Sequence, residues 1–344
     1  MPHLLDWHLK SDDDWWSCID RARHHYRARA WTDAAVHRSL GLLFFNASLR
    51  TRTSMELAGA HLGAHVTTLN IGQGTWGFEW TPDVVMDGGA AEHIREAVGV
   101  LSRYYDALGV RVFASGTDYA RDRDEVLLHT FADAASVPVV NLESAFYHPC
   151  QALADASTIL TLLGDEAPLD AVRQQVQGQR FVLSWAPHPK PLPMAVPNSA
   201  LLMAARLGMN VTVARPEGFG LDEGVMAHAR QYAAQHGTTV QEAEDQADAC
   251  DGAHVVYAKA WGGRARYTDP EAEAQARAAH GGWTISEKLM ARTQRAAFMH
   301  CLPVRRGVVV ADAVLDGPHA QHLLQAEFRL HAQKAILEHI WSLP

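Results

Sequence analysis

A short apolar run in the first fifty residues is followed by residues at helical spacing. Residues 42–45 read Leu-Leu-Phe-Phe, and Met55, Ala58 and Leu62 then recur every three or four positions. An apolar run without alternation is typical of a strand buried on both faces, whereas the later spacing predicts a helix. This segment is therefore predicted to be a buried strand that leads into a helix.

The same order of strand and helix continues through the first half of the chain. The pattern predicts helices at residues 92–105 and 119–132, and strands at residues 107–113 and 137–140. Short apolar strands favour a parallel sheet covered by helices on both faces, and ligands usually bind at the C-terminal ends of such strands. Arg111, Glu143 and His148 lie near these predicted ends.

A second series of strands and helices follows a predicted connector helix at residues 151–163. Its predicted strands are residues 181–185, 211–213, 255–257 and 296–299, and its predicted helices follow Pro197 and cover residues 222–235. A final helix at residues 319–341 is predicted to pack back on the first domain. The predicted fold is α/β, with two doubly wound parallel-sheet domains at residues 1–150 and 151–318 and a C-terminal helix at residues 319–344.

Composition restricts the classes of function. The 344 residues are 48% hydrophobic and carry a formal net charge of -9, which suits two substantial cores and argues against broad nucleic-acid binding. We expect a cytoplasmic enzyme, because no apolar run of membrane length and no secretory pattern is seen. The four scattered cysteines and the many histidines show no metal-type spacing, so neither a disulfide framework nor a metal site is predicted.

Residues 48–53 alternate hydroxyl and guanidinium side chains at the predicted start of a helix. Free backbone N–H groups and the positive end of the helix dipole favour an anion there. Arg50 and Arg52 can add bidentate donors that match phosphate oxygens. Taken alone, the segment could also be an ordinary helix start capped by Ser48 or Thr51.

Three short motifs occur in a specific order. They are Ser-Leu-Arg-Thr-Arg at residues 48–52, His-Pro-Cys-Gln at residues 148–151 and His-Cys-Leu-Pro at residues 300–303. In this order the chain resembles the carbamoyltransferases over nearly its whole length. The resemblance implies a homotrimer and transfer of a carbamoyl group from carbamoyl phosphate to an amine, without a metal or an organic cofactor.

The resemblance also implies roles for individual residues. Carbamoyl phosphate would contact Ser48, Leu49, Arg50, Thr51, Trp76, Arg111, His148, Gln151, Cys301, Leu302 and Arg329. The groups closest to the chemistry would be His148, Cys301 and Arg111, because donors are needed where charge develops on the carbonyl oxygen and on the departing phosphate. Either a Cys301 thiolate or the phosphate could accept the proton of the attacking amine.

The amine acceptor is predicted from two further segments. His-Cys-Leu-Pro resembles the ornithine-type enzymes, but Lys259 stands where ordinary ornithine carbamoyltransferases carry an aspartate for the α-ammonium group. A lysine would repel that ammonium, so a blocked α-nitrogen is expected. Thr75, Trp76 and Gly77 resemble the loop of the N-acylornithine carbamoyltransferases, in which the tryptophan reaches the site of a neighbouring subunit.

Three positions favour a succinyl over an acetyl group. By resemblance, Ala91 aligns with a position that is glutamate in the N-acetylornithine enzymes and proline in the N-succinylornithine enzymes; alanine matches neither, but it leaves space and adds no negative charge against a succinyl carboxylate. Val309 replaces a lysine that is carboxylated in the acetyl-type enzymes. Glu143 precedes His148 by five residues, the spacing of the succinyl type. By the same resemblance, the acylornithine would contact Glu143, His188, Lys259 and Arg305.

The predicted function is an N-acyl-L-ornithine carbamoyltransferase of arginine biosynthesis that favours N2-succinyl-L-ornithine. N2-acetyl-L-ornithine is the alternative substrate. A catalytically silent protein that binds carbamoyl phosphate or an amino acid as a regulator is the alternative from a different class. A dinucleotide-dependent oxidoreductase is disfavoured, because no Gly-x-Gly-x-x-Gly motif follows the first strand.

Overall fold

A computed structural model describes residues 3–343, which form two compact units. The first unit contains the described residues up to Ser115, Ala120–Cys150 and the described residues from Arg329 onward. The second unit contains Gly116–Tyr119 and Gln151–Phe328. Residues 319–328, assigned from the sequence to the C-terminal helix of the first domain, thus lie in the second unit.

The first unit is built on a four-stranded parallel sheet with the order β2-β1-β5-β6. The strands of this unit are β1 Ser39–Phe44, β2 His65–Asn70, β3 Phe78–Glu79, β4 Glu92–His93, β5 Ala107–Arg111 and β6 Val139–Glu143. β3 and β4 form a separate short parallel pair. β1 is an inner strand of this sheet, and its residues Leu40, Leu42 and Leu43 are all fully buried. β2 was not predicted, since the edge strand mixes polar and apolar residues and is only partly buried.

The helices of this part of the chain are α1 Asp12–Ala28, α2 Arg50–His61, α3 Ile94–Tyr104, α4 Tyr119–Arg123 and α5 Val126–Ala134, with a short 3-10 helix at Trp7–Leu9. The single helix predicted for residues 119–132 is interrupted by Glu125, whose φ of 47° is left-handed and cannot continue a helix. Leu108, Val110 and Phe131 belong to the buried core between the sheet and these helices.

The second unit contains a five-stranded parallel sheet with the order β11-β10-β7-β8-β9. Its strands are β7 Arg180–Trp185, β8 Asn210–Ala214, β9 Val240–Ala243, β10 Val255–Lys259 and β11 Ala297–Met299. The three predicted inner strands are apolar and buried, whereas the partly exposed β9 was not predicted.

The later helices complete the fold. They are α6 Pro149–Leu163, α7 Leu169–Val176, α8 Ala195–Arg206, α9 Glu223–His236, α10 Gln246–Cys250, α11 Pro270–Ala279, α12 Glu287–Met290, α13 Asp312–Leu315 and α14 His322–Ile340, with 3-10 helices at Arg264–Tyr267 and Gly281–Trp283. Pro197 falls inside the first turn of α8, where its missing N–H is tolerated. The predicted fold class is confirmed: two parallel-sheet units, the connector α6 and a final helix whose last part belongs to the first unit.

Each sheet has one topological switch point, here called the reversal point. At this point the chain stops adding strands on one side of the first strand and continues on its other side. In the first sheet this point lies between β1 and β5, and in the second between β7 and β10. Ligands of open α/β sheets bind beside the C-terminal ends of the strands at such a point. Residues 48–50 follow β1, Arg111 ends β5, His188 follows β7 and Lys259 ends β10. Predicted site residues therefore lie at the reversal point of each sheet.

No helix among residues 3–343 is long and apolar enough to cross a membrane.

Candidate active site

The start of α2 is organised by hydroxyl groups. The Ser48 hydroxyl accepts a hydrogen bond from the Thr51 backbone N–H at 3.2 Å, as a capping residue does. Thr51 is buried, and its hydroxyl accepts a hydrogen bond from Nη2 of Arg329 at 2.9 Å. Arg329 belongs to α14, so the structure brings this distant predicted residue to the predicted phosphate motif.

The two arginines of the motif differ in their surroundings. Arg52 donates from Nε to Glu56 at 3.2 Å and from Nη1 to Asn70 at 3.3 Å, so its side chain is held against α2 and β2. Arg50 is the first residue of α2 and is half-buried. Leu49 precedes it with a side chain that is 74% exposed, so this residue can offer its backbone to a ligand without covering the site. Arg50 is the better candidate for a phosphate ligand.

Arg111, Glu143 and His148 form one buried charged cluster in the first unit. Nη1 of Arg111 donates to Oε2 of Glu143, and Nε2 of His148 lies 3.6 Å from the same oxygen. The guanidinium group of Arg111 also lies over the Phe113 ring, 4.4 Å from its centroid. A register shift between Val110 and Arg111 pairs Arg111 with Glu143 at the ends of β5 and β6. Glu143, assigned from the sequence to the acylornithine, here contacts Arg111 and lies beside His148, two residues assigned to carbamoyl phosphate.

Glu125 stabilises the turn that precedes His148, a role that was not predicted from the sequence. Its buried carboxylate accepts hydrogen bonds from the Ser144 hydroxyl and, at 2.9 Å, from the Phe146 backbone N–H. Burial raises the pKa of Glu125 to about 7, although these two hydrogen bonds act in the opposite direction. An acidic residue inside a predicted surface helix usually faces water, so only the tertiary structure reveals this role.

The stability of the protein should therefore depend on the protonation of Glu125. The folded protein keeps this proton up to about pH 7, whereas an ordinary glutamate releases it near 4.5. The stabilisation is fully present below pH 4.5 and is lost as the pH rises through 7, by on the order of 3 kcal/mol. Glu125→Gln should flatten the difference in unfolding free energy between pH 5 and pH 8, measured in urea. The exposed Glu96→Gln control should leave that difference in place; an equal effect of both variants would contradict the assignment.

Trp76 lies beside the predicted specificity position. Its side chain is 58% exposed, and its indole N–H donates to the Glu92 carboxylate at 2.7 Å. Pairing of β3 with β4 sets Phe78 opposite Glu92, and the exposed Ala91 directly precedes this pair. The tryptophan loop and Ala91 are therefore neighbours within the first unit.

A cationic group lies at the reversal point of the second sheet. Nε of Arg305 donates to Nε2 of His188 at 3.1 Å, and Nδ1 of the same ring lies 2.9 Å from the Lys190 carbonyl oxygen and 3.0 Å from the Lys190 backbone nitrogen. Burial lowers the pKa of His188, and the positive charges of Arg305, Lys259 and Arg277 lower it further. His188 is therefore neutral at pH 7 beside cations.

Two residues missed in the sequence support this cationic group. Arg277 of α11 donates from Nη1 to the His188 carbonyl at 2.7 Å, and its Nε lies 3.1 Å from Oε1 of Glu273. The same glutamate oxygen accepts the Gly263 N–H at 3.1 Å, just beyond β10. This buried pair holds the segments that follow β7 and β10. The four-residue spacing of Glu273 and Arg277 was the available signal, but such pairs are common on exposed helices.

Gln151, Cys301 and Leu302 lie in the second unit. Nε2 of Gln151 donates to the Asp155 carboxylate at 2.7 Å. Cys301 carries a free thiol and is 9% exposed. Nδ1 of His300 accepts the Leu302 N–H at 2.9 Å, and Leu302 takes a left-handed φ of 57°. Within residues 3–343, no group of three His, Cys, Asp or Glu side chains is placed to hold a metal ion.

Comparison with protein families identifies the chain. The model of the aspartate/ornithine carbamoyltransferase carbamoyl-P binding domain matches residues 2–161, and that of the Asp/Orn binding domain matches residues 194–340. The chain belongs to the aspartate/ornithine carbamoyltransferase family. The predicted family and the predicted enzyme class are confirmed, and the protein is a carbamoyltransferase.

Similar proteins include N-acetylornithine, N-succinylornithine and ornithine carbamoyltransferases. This carbamoyltransferase is 42% identical to the N-acetylornithine carbamoyltransferase of Xanthomonas campestris over 301 residues, or 87% of this chain and 86% of that protein. It is 36% identical to the N-succinylornithine carbamoyltransferase of Bacteroides fragilis over 310 residues, or 90% and 89% of the two chains. A glutamate-to-alanine mutant of N-acetyl-L-ornithine transcarbamylase, crystallised with carbamyl phosphate and N-succinyl-L-norvaline, superposes with a TM-score of 0.93. It shares 40% identity, and the match covers 98% of this chain and 99% of that chain.

Proposed function

We propose that this carbamoyltransferase transfers the carbamoyl group of carbamoyl phosphate to the δ-amine of an N2-acyl-L-ornithine in arginine biosynthesis, with N2-succinyl-L-ornithine preferred. The observation that carries the proposal is the cationic group at the end of β10. Burial and the positive charges of Arg305 and Lys259 lower the pKa of His188, which accepts a hydrogen bond from Arg305. These cations would repel the free α-ammonium group of ornithine but would attract a carboxylate or an acyl oxygen.

Support for an acylated substrate also comes from the relatives, which include both acetylornithine and succinylornithine enzymes. By the family resemblance, the acetyl enzymes carry a glutamate at the position of Ala91. An alanine leaves space and adds no negative charge against the second carboxylate of a succinyl group. The crystallised mutant transcarbamylase, which carries an alanine in place of a glutamate, was complexed with a succinyl compound. N2-acetyl-L-ornithine is the competing substrate.

The proposed mechanism uses charge stabilisation by fixed donors. Arg50, with Ser48, the Leu49 backbone, Thr51 and Arg329, would bind the phosphate group. Arg111 and His148 would donate to the carbonyl oxygen as negative charge develops there. Glu143 would keep both of these side chains in place through its contact with Arg111 and its proximity to His148.

The remaining proposed contacts are contributed by the second unit. Gln151, Cys301 and Leu302 would complete the carbamoyl phosphate contacts, and either the Cys301 thiolate or the departing phosphate would take the amine proton. The acylornithine would meet His188, Lys259 and Arg305 of this unit. No cofactor takes part in the proposed reaction.

We also propose a homotrimer in which Trp76 reaches the site of a neighbouring subunit. The exposure of Trp76 and its flanking glycines at 74 and 77 suit a side chain that extends away from its own unit. Its bond to Glu92 would place the neighbouring Ala91 on the same shared surface.

An assay of ureido product tests the proposed function. The protein is mixed with carbamoyl phosphate and, separately, with N2-succinyl-L-ornithine, N2-acetyl-L-ornithine and L-ornithine. We expect the highest kcat/KM with the succinyl compound and no measurable turnover of ornithine. Ala91→Glu should reduce kcat/KM for the succinyl substrate by about tenfold or more relative to the acetyl substrate, since a like charge would then oppose its carboxylate.

Ala91→Ser is the matched control, because it adds a polar group without charge. Preference for the acetyl substrate in the unchanged protein would reject the succinyl assignment. Turnover of free ornithine would reject the role of Lys259, and the absence of product with all three amines would favour a catalytically silent binding protein.

A further inference from the structure

We infer that Asp155, Tyr257 and Gln325 act as positioning residues for carbamoyl transfer, holding Gln151 and the turn at His300 and Cys301 in one fixed arrangement. These three residues are called the Gln325 network below. The inference rests on the proposed roles of Gln151 and Cys301, but none of the three network residues is assigned a substrate contact. All three lie in the second unit.

Gln325 is the centre of the network. Its side chain is fully buried at the start of α14, where Oε1 accepts the His300 backbone N–H at 2.9 Å. Its Nε2 group lies 2.6 Å from Oδ1 of Asp155 and 3.2 Å from the Tyr257 hydroxyl. An inverted amide would set two oxygens and two N–H groups against each other, so the amide has one favourable orientation.

Asp155 connects this amide to Gln151. It lies one turn after Gln151 in α6, and its Oδ1 accepts hydrogen bonds from both Gln151, at 2.7 Å, and Gln325. Both amides are held by the same carboxylate oxygen, and Asp155 is only 1% exposed. Because hydrogen bonds to a buried ionised group are strong, the carboxylate restricts both side chains at once.

Tyr257 connects the network to the strand that ends in Lys259. Side chains alternate along β10, so Tyr257 and Lys259, two residues apart, point to the same face. Burial and the negative charge of Asp155 raise the pKa of Tyr257 well above its usual value, so the phenol stays protonated beside the carboxylate. The neutral hydroxyl can therefore accept the hydrogen bond of Gln325 without adding a second negative charge beside Asp155.

The network joins the elements that carry the proposed substrate contacts of this unit. Gln151 is the first residue of α6 that belongs to the second unit, Lys259 is the last residue of β10, and Cys301 follows β11. A polar chain that is not in contact with substrate can still set reacting distances, and a shift of about 1 Å can cost about a hundredfold in rate. A purely structural role would instead lower stability without a selective loss of kcat.

Two isosteric substitutions test the inference. Asp155→Asn removes the charge that orders both amides, and Tyr257→Phe removes one hydroxyl. We expect kcat to fall about tenfold to a hundredfold in Asp155→Asn and about tenfold in Tyr257→Phe, with KM for carbamoyl phosphate changed less than about threefold. Initial rates would be measured with whichever amine the unchanged protein carbamoylates best, so that an error in the proposed acyl group does not affect the result.

Thr158→Val is the matched control. Thr158 is fully buried in the same helix, and its hydroxyl donates to the Ala154 carbonyl at 2.7 Å, outside the network. This variant lacks a comparable buried hydrogen bond, so its free energy of unfolding in urea should fall. Its kcat should stay near that of the unchanged protein. If Asp155→Asn does not fold, Tyr257→Phe still decides the question. Unchanged kcat in the folded network variants, or an equal loss in Thr158→Val, would overturn the inference.

Discussion

Arg50→Ala is expected to weaken binding of carbamoyl phosphate by a hundredfold or more. A bidentate guanidinium–phosphate contact contains two charge-assisted hydrogen bonds of about 1.5–3 kcal/mol each, and about 1.4 kcal/mol corresponds to a tenfold change in affinity. Arg50 opens α2 beside the hydroxyl groups of Ser48 and Thr51, where the helix end itself attracts an anion. Titration calorimetry with carbamoyl phosphate alone measures this step without any dependence on the amine.

Arg52→Ala is the matched control for this experiment. It removes the same type of side chain two positions later, but Arg52 is engaged with Glu56 and Asn70. We expect the affinity of Arg52→Ala for carbamoyl phosphate to change by less than about threefold. Exposed ion pairs contribute little, and the proposed phosphate-binding residue Arg50 is unchanged in this variant. Equal losses in the two variants would show a general effect of charge, and an unchanged affinity in Arg50→Ala would remove Arg50 from the site.

His148→Ala is expected to reduce kcat by about a hundredfold to a thousandfold while binding of carbamoyl phosphate is largely kept. The loss of one donor to a developing oxyanion costs about 2.7–4 kcal/mol, and its effect is greatest in the transition state. His148 is suited to this role because it is only 2% exposed and lies 3.6 Å from the carboxylate of Glu143. Steady-state rates at saturating substrate, combined with calorimetry, separate the two effects.

His129→Ala provides the corresponding control, because His129 lies exposed on α5. It should leave both kcat and the affinity for carbamoyl phosphate unchanged. Full kcat in a folded His148→Ala variant would reject the donor role, and loss of binding without loss of turnover at saturation would assign His148 to ground-state binding only.

The apolar pattern predicted the interior of the fold better than its edges. β1, β7 and β10 were predicted because both of their faces are buried and therefore apolar. The edge strands β2 and β9 were missed because half-exposed strands carry polar residues. The apolar pattern thus indicates which residues are buried. It predicts a strand only where that strand is also buried.

The motifs predicted residues that meet at the strand ends, but they did not predict the residues that hold them. Glu125 accepts a hydrogen bond from Phe146 in the turn after β6, although the two residues are 21 positions apart in the sequence. Gln325 and Asp155 are hydrogen-bonded although 170 positions separate them. Such partners have no spacing rule, because they become neighbours only once the sheet has formed. Arg277 was ambiguous for a different reason, since its helical pairing with Glu273 resembles an ordinary surface ion pair.

The discontinuity of the first unit affects how the chain is made. The second unit is complete in sequence once Phe328 has left the ribosome, whereas the first still lacks its residues from Arg329 onward. These include Glu338, which accepts hydrogen bonds from Arg21 and His25 of the first helix. Because domains fold as units, the first unit can complete its structure only after the residues from Arg329 onward have been synthesised, although most of its residues are translated before those of the second unit.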